Sequence, residues 1–120
     1  MKEIDIFIDS KDLSKVTDIL QRHKAGMTFF DVQGTGRTPK ETPENVQFYQ
    51  TGRNTLPRFI GKTHVISVVS DNKFDTIVHE IAKSFENKKE SSGVLFVKDV
   101  LNAYELGTNL QDDALLISQT

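Results

Sequence analysis

The chain has 120 residues and a mass of 13.6 kDa, with 37% hydrophobic and 27% charged residues. These values are typical of a single soluble domain and exclude collagen-like and fully disordered chains. Cysteine is absent, which excludes disulfides, zinc–thiolate sites and cysteine catalysis. The net charge of −2 gives no basis for general nucleic-acid binding. Because no apolar run could span a membrane and the N-terminus lacks a signal-peptide pattern, we expect a cytoplasmic protein.

The N-terminal third predicts a strand, a helix and a second strand. Residues 3–9 alternate as a half-buried strand does, with Ile4, Ile6 and Ile8 on one face and Asp5, Phe7 and Asp9 on the other. Ser10 is a candidate cap for a helix that should end near Gly26. The apolar residues at helical spacing in it are Leu13, Val16, Ile19 and Leu20. Residues 27–32 predict the second strand.

Residues 34–62 show neither a helical nor a strand period and predict a long loop or strand extension. This segment contains all three prolines and four of the seven glycines. From Arg37 to His64 there are five Lys or Arg side chains against two Glu, whereas the sequence from Asp99 onward has acidic residues and no Lys or Arg. Since so long a loop is uncommon in a small domain, we interpret it as a binding segment, and the acidic C-terminus as a flexible tail.

The second half repeats the order strand, helix, strand. Residues 65–69 predict a strand, Ser70-Asp71-Asn72 a capping cluster, and residues 94–100 the last strand after a polar loop. The helix between them has a broad apolar stripe formed by Phe74, Ile77, Val78, Ile81, Ala82 and Phe85. Two β-α-β units predict an α+β ferredoxin-like sandwich, with two helices on one face of a four-stranded antiparallel sheet. The other face keeps apolar groups such as Phe7, so we expect self-association.

Sequence motifs for catalysis are missing. The chain has no GxxxxGK[ST], GxSxG or HExxH pattern. The histidines His23, His64 and His79 have no metal-ligand spacing, and His79 lies off the apolar stripe, so we interpret it as a solvated surface residue. Asp112-Asp113 could form a carboxylate pair, although an acidic tail is the favoured interpretation. We therefore predict a protein that is not an enzyme and has no metal site.

Two short segments could bind an anion. In Gly34-Thr35-Gly36-Arg37-Thr38, the glycines allow consecutive backbone N–H groups to point at a phosphate, and Arg37 could add a charged hydrogen bond. An ordinary turn at the end of a strand explains the same residues equally well. Residues 88–93 form a second cationic, hydroxyl-bearing turn, for which a solvated connection is the alternative.

The chain resembles the PII signal-transduction family from Ile4 to about Val100, and more weakly to Leu115. The similarity lies in short motifs at matching spacings: Gly26-Met27-Thr28, Val32-Gln33-Gly34-Thr35-Gly36-Arg37, Leu56-Pro57, Asp75-Thr76-Ile77, Phe96-Val97-x-Asp99-Val100 and Asp112-Asp113-Ala114. The resemblance implies a homotrimer of single ferredoxin-like domains spanning residues 1–120. Residues 37–62 would be the T-loop that grips a target protein, residues 87–93 the B-loop and residues 101–120 the C-terminal tail.

The resemblance also implies an adenine-nucleotide site between subunits. One wall is expected from Gly34–Thr38 together with Gly26–Thr28, and the other from residues 88–93 of the neighbouring subunit. The expected nucleotide-binding residues are Ile6, Gly26, Met27, Thr28, Gly34, Thr35, Gly36, Arg37, Thr38, Val68, Lys88, Lys89, Ser91, Ser92 and Gly93. The expected partner contacts in the T-loop are Lys40, Tyr49, Arg53 and Arg58.

Several residues depart from the family pattern. Val94 stands where the family has a phosphate-binding lysine, and Glu105 and Gly107 stand where it has two arginines. Thr38 replaces a glutamine that helps hold metal and 2-oxoglutarate, and Thr55 occupies the position of a modifiable tyrosine. Because fewer cations remain to neutralise a γ-phosphate, we expect ADP or AMP to be favoured over ATP.

The function implied by the resemblance is non-enzymatic signalling without a catalytic cofactor. The implied target is an ammonium or inorganic-carbon transporter, which could recruit the trimer to the membrane, or an enzyme of nitrogen or carbon metabolism. The alternative is a ferredoxin-like trimer that binds a small anion or a metal and has no nucleotide site. An RNA-binding module is disfavoured because the charge is negative and no RNP-like aromatic pair is present.

Overall fold

Two interleaved β-α-β units form the fold in the computed structural model, which describes residues 1–34, 46–47, 50–51, 54–55, 59–86 and 91–118. The elements are β1 Lys2–Ile8, α1 Leu13–Arg22, β2 Thr28–Gly34, β3 Val46–Gln47, β4 Gln50–Thr51, β5 Asn54–Thr55, β6 Phe59–Val69, α2 Asp71–Ser84, β7 Gly93–Asp99 and α3 Asp112–Ser118. A short 3-10 turn, Ser10–Asp12, precedes α1.

The main sheet has the strand order β2-β6-β1-β7, and every pair in it is antiparallel. The first strands of the two units, β1 and β6, are thus the central pair, and the second strands, β2 and β7, lie at the two edges. The short β3 pairs with the beginning of β6, and β4 with β5 forms a separate two-stranded ribbon. This arrangement confirms the predicted ferredoxin-like α+β fold.

The core lies between the helices and one face of the sheet. The strand side chains in it include Ile4, Ile6, Ile8, Val65 and Val69, and the helices contribute Val16, Ile19, Leu20, Ile77 and Ile81, all between 0% and 4% exposed. The alternation predicted for β1 and the apolar stripes predicted for the helices are therefore confirmed, except that Ala82 is exposed. Burial of these side chains supplies the dominant favourable term in folding.

The first helix begins and ends differently from the prediction. Ser10 does not cap it, because the Ser10 hydroxyl forms a hydrogen bond with Thr63 Oγ1 at 2.9 Å and the 3-10 turn intervenes. The helix stops at Arg22 instead of near Gly26. Lys24 takes a left-handed φ of 55°, and the Ala25 N–H donates to the Leu20 carbonyl at 2.9 Å. A lysine, and not the predicted glycine, therefore makes the helix-ending turn.

The C-terminal segment is ordered, so its interpretation as a flexible acidic tail is wrong. The Ala103 N–H donates to Asp112 Oδ1 at 2.9 Å, and the Asp112 N–H donates to the Ala103 carbonyl at 2.8 Å. The Glu105 N–H also donates to the Leu110 carbonyl at 2.8 Å. Asp112 closes this turn in a left-handed conformation, φ 52°, and then starts α3.

The region predicted as a long loop includes a strand extension. The strand predicted at residues 65–69 begins earlier, at Phe59, and its added residues pair with β2 and β3. The ribbon of β4 and β5 also falls within residues 34–62. The rest of that region, and with it most of the expected T-loop, lies outside the described residues.

Candidate functional site

One face of the sheet is not covered by either long helix, and we call it the open face. From the strand registers it consists of Glu3, Asp5, Phe7, Thr28, Phe30, Val32, Lys62, His64, Ile66, Val68, Val94, Phe96 and Lys98. Phe30, Val94 and Phe96 are 45%, 49% and 53% exposed. So much exposed apolar side-chain surface on one face of a sheet, here on its two edge strands, is typical of a face that packs against another protein surface.

Aromatic rings cluster in the middle of the open face. The His64 ring stacks on Phe7 with 4.1 Å between centroids and meets the edge of Phe30 at 4.8 Å. Phe96 makes an edge contact with Phe7 at 6.1 Å. These contacts hold His64 in one orientation, with its Nε2 atom turned toward β1.

An ionic network crosses the same part of the face. His64 Nε2 lies 3.0 Å from Asp5 Oδ1, and Lys98 Nζ lies 3.3 Å from Asp5 Oδ2 and 3.5 Å from Glu3 Oε2. Burial would raise the pKa of Asp5, but its contacts with Glu3, His64 and Lys98 together outweigh burial and lower it. The hydrogen bond with Asp5 in turn raises the pKa of Lys98. Asp5, only 4% exposed, is therefore kept as a carboxylate by its neighbours.

Some of the expected nucleotide-binding residues lie at the upper end of the sheet, where β1 ends and β7 begins. A groove of about 470 Å³ runs there between α2 and β7, and Ile6, Ser91, Ser92 and Gly93 are among its lining residues. Ile6 is only 2% exposed and contributes to the apolar floor. Gly34 is at the same end, where it pairs with Ile60. These five residues are called the upper set.

The other described candidates lie at the lower end of the sheet. A cavity of about 370 Å³ is bounded there by the end of α1, the start of α2 and α3, and it is lined in part by Gly26 and Val68. The Ser67 hydroxyl donates to the Gly26 carbonyl at 2.7 Å, which fixes the entry into β2. Met27 packs against the core and Thr28 is exposed. Gly26, Met27, Thr28 and Val68 are called the lower set.

The two sets cannot form one site within a single subunit. The seven residues of β2 separate Gly26–Thr28 from Gly34 by roughly 20 Å, given the rise of an extended strand. The expectation that Gly34–Thr38 and Gly26–Thr28 form one wall of a cleft between subunits stays a prediction, and such a wall would extend along the whole of β2. The expected residues Thr35, Gly36, Arg37, Thr38, Lys88 and Lys89, and the partner contacts Lys40, Tyr49, Arg53 and Arg58, lie outside the described residues.

The positions that depart from the family pattern are accounted for by the fold. Val94 lies on the open face beside the groove, and it pairs with Phe7. Glu105 is held in the turn that Leu110 closes, and Gly107 within that turn has a left-handed φ of 98°. None of these three positions supplies a cation to a ligand.

The described part of the chain contains neither a metal-binding cluster nor a membrane-spanning helix. Within the described ranges, no three His, Asp or Glu side chains are grouped so that they could hold a metal ion. None of the helices in those ranges has the length and apolar character needed to cross a bilayer. His79 is exposed on α2, as its position off the apolar stripe predicts.

Comparison with known proteins decides the family. The family model of the nitrogen regulatory protein P-II matches residues 1–109. The chain belongs to the P-II family. It is 32% identical over 117 residues to the nitrogen regulatory protein P-II of Klebsiella oxytoca and to P-II 1 of Escherichia coli K12, with 97% of this chain and all of each relative covered. It is also 33% identical over 101 residues to P-II 2 of Methanothermobacter thermautotrophicus, with 83% of this chain and 84% of that protein covered.

Family membership establishes the general role of the chain. P-II proteins are regulatory signal transducers and not enzymes, so this chain is a signalling protein of that kind. The family consists of trimers that regulate partner proteins such as transporters and enzymes. The ferredoxin-like fold described above is also that of the family.

Proposed function

We propose that three copies of this chain form a signalling trimer that binds an adenine nucleotide in clefts between subunits. ADP or AMP is favoured over ATP, and the bound nucleotide sets the pose of residues 37–62, which control a transporter or a metabolic enzyme. The trimer would act in the cytoplasm and reach the membrane only through a transporter partner. The observation that carries the proposal is the separation of the upper set from the lower set.

The separation supports an inter-subunit site because one ligand can touch both sets only where two copies meet. The groove at Ser91–Gly93 is near one edge of the sheet, at β7, and the cavity at Gly26 is near the other edge, at β2. Trimer formation through the open face would bring the edge of one sheet close to the opposite edge of the next. In that arrangement the serine hydroxyls of the upper set would face the phosphates, and the start of β2 would face the base.

Calorimetry with ATP, ADP and AMP tests the ligand preference. We expect ATP to bind no tighter than ADP or AMP, and 2-oxoglutarate to add no tightening in the presence of Mg-ATP. Each charged contact missing at Val94, Glu105 or Gly107 costs on the order of 1.5–3 kcal/mol, or roughly ten- to a hundred-fold in affinity. Glu105→Arg, which lies off the open face, should restore a preference for ATP, whereas Thr76→Arg, exposed on α2, should not. A clear preference of the unmodified chain for ATP, with synergy from 2-oxoglutarate, would contradict the assignment.

Mixed trimers test whether the site lies between subunits. Ser92→Asp in the upper set and Thr28→Asp in the lower set should each abolish ADP binding by the homotrimer, because a carboxylate repels the ligand's phosphates. Subunits of the two variants, refolded together, should regain one intact cleft in each mixed trimer, where an unmodified upper set meets an unmodified lower set. If the mixtures bind no ADP although each variant remains trimeric, either the site lies within one subunit or the protein has no ADP site.

The second candidate function is a trimer that binds a small anion or a metal and no nucleotide. It is favoured by the absence of a cation at Val94, Glu105 and Gly107. Binding of inorganic phosphate or of a divalent metal, without heat from any of the three nucleotides, would support this candidate over the first.

A further inference from the structure

We propose that assembly through the open face is linked to proton uptake by His64, so that the trimer holds its subunits tightly at mildly acidic pH and loosens as pH rises. This inference rests on the proposed trimer and adds a regulation to it. It is carried by the network in which His64, Asp5, Lys98 and Glu3 meet in the middle of the face that assembly would cover.

The charges in the network do not balance when His64 is neutral. Glu3 and Asp5 bring two carboxylates, and Lys98 brings one ammonium group that lies 3.5 Å and 3.3 Å from them. A neutral His64 can donate from Nε2 to Asp5 but leaves one negative charge uncompensated. An imidazolium at His64, 3.0 Å from Asp5 Oδ1, makes the network neutral.

Among the residues that the structure describes, the surroundings of His64 offer no other cation to the network. On β1 it faces Asp5, Glu3 and Phe7, and on β2 it faces Phe30 between Thr28 and Val32. On β7 the charged residue that faces it is Lys98, whose ammonium group is already included in the charge balance above. On its own strand Lys62 is the neighbour on the same face, and among the described contacts its ammonium does not reach the two carboxylates.

When assembly covers the open face, the uncompensated negative charge of the network becomes unfavourable in free energy. The side chains of His64 and Asp5 are 14% and 5% exposed in the single subunit, so the water that remains lies on the open-face side. Excluding that water from an uncompensated charge is strongly unfavourable, whereas a neutral network loses much less. A histidine is the side chain whose charge ordinarily changes between pH 5 and 8. The assembled state therefore holds the proton more firmly than the separated subunits, and removing the proton weakens assembly.

Exchange of subunits between trimers measures this linkage in the full chain. Isotopically light and heavy trimers are mixed, and the appearance of mixed trimers is followed by native mass spectrometry at about pH 6 and about pH 8.5. We expect exchange to be roughly ten-fold faster at the higher pH, because each dissociating subunit gives up a bound proton. Equal exchange rates at the two pH values would overturn the inference while leaving the trimer intact.

Three variants identify the responsible group. His64→Gln keeps an amide donor for Asp5 and cannot titrate, so its exchange should be fast at both pH values. His64→Lys keeps a permanent cation and should exchange slowly at both, which provides the test even if the glutamine variant does not assemble. His79→Gln, at an exposed position on α2, should retain the pH dependence of the unmodified chain. An unchanged pH dependence in the His64 variants would overturn the inference, and the absence of any trimer at pH 6 would overturn the proposed assembly itself.

Discussion

Replacing Gly93 with alanine is expected to lower the free energy of unfolding by about 3 kcal/mol or more. A Cβ at this position would lie 2.1 Å from the Phe7 carbonyl oxygen and 2.9 Å from Ile8 Cγ2. The oxygen belongs to backbone that pairs β1 with β7, so it cannot move away without opening the register at Ile8. Urea unfolding followed by circular dichroism, at one fixed protein concentration, measures the change.

Gly107→Ala is the matched control for this substitution. Gly107 also has a positive φ, 98°, but a Cβ there would meet no heavy atom within 4 Å. Its cost should be limited to the backbone strain of a left-handed alanine, about 1–2 kcal/mol. If Gly93→Ala costs no more than Gly107→Ala, the close approach of β1 and β7 is not what requires glycine at residue 93.

Replacing Phe96 with aspartate is expected to abolish the trimer and leave the subunit folded. Phe96 is 53% exposed in the subunit and lies opposite Asp5, so the new carboxylate enters an apolar contact surface beside an existing one. Light scattering should show the mass falling from three times 13.6 kDa to 13.6 kDa. ADP binding should fall by at least about a hundred-fold, because the proposed cleft needs two subunits.

The control for Phe96→Asp adds the same charge away from the open face. Thr76 is exposed on α2 and does not belong to the open face, so Thr76→Asp should keep the mass and the ADP affinity of the unmodified chain. A trimeric Phe96→Asp variant would show that subunits meet through another surface. An unmodified chain with the mass of a single subunit would contradict the trimer as well.

The core could be predicted from the sequence because it depends on local periodicity. Residues alternating along β1, such as Ile4 and Ile6, must share a face, and residues three and four apart on α2, such as Ile77 and Ile81, must share a stripe. These rules need no knowledge of which strands are neighbours. The order of elements then limited the fold to one familiar arrangement of two β-α-β units.

The network at His64 could not be predicted from spacing, because it depends on strand pairing. Asp5 and His64 are far apart in the chain, and only the register between β1 and β6 places them side by side. The alternation of β6 was a usable signal, since it puts His64 on the face opposite to buried Val65. Which carboxylate it would meet there required the register itself.

The distance between the nucleotide-binding candidates could not be predicted from their order in the chain. Gly26–Thr28 and Gly34–Thr38 are close in sequence, and the family resemblance places them in one wall without giving its length. The extended strand sets that length, since each residue of β2 adds about 3.3 Å to the separation. The ordered C-terminal turn was missed because its closing contact joins the Asp112 carboxylate to a backbone N–H at Ala103, a pairing that composition does not reveal.

In the proposed trimer, the separation of the upper and lower sets makes each subunit half of two different clefts. In this closed ring of three, each bound nucleotide would contact two neighbouring subunits, so the ring has one cleft at each subunit interface. Occupying the clefts therefore draws free subunits into the ring by mass action, and an isolated subunit has no complete binding site to occupy. The proposed trimer would therefore respond to the concentration of nucleotide and to that of the protein together, because a low concentration of either leaves rings incomplete.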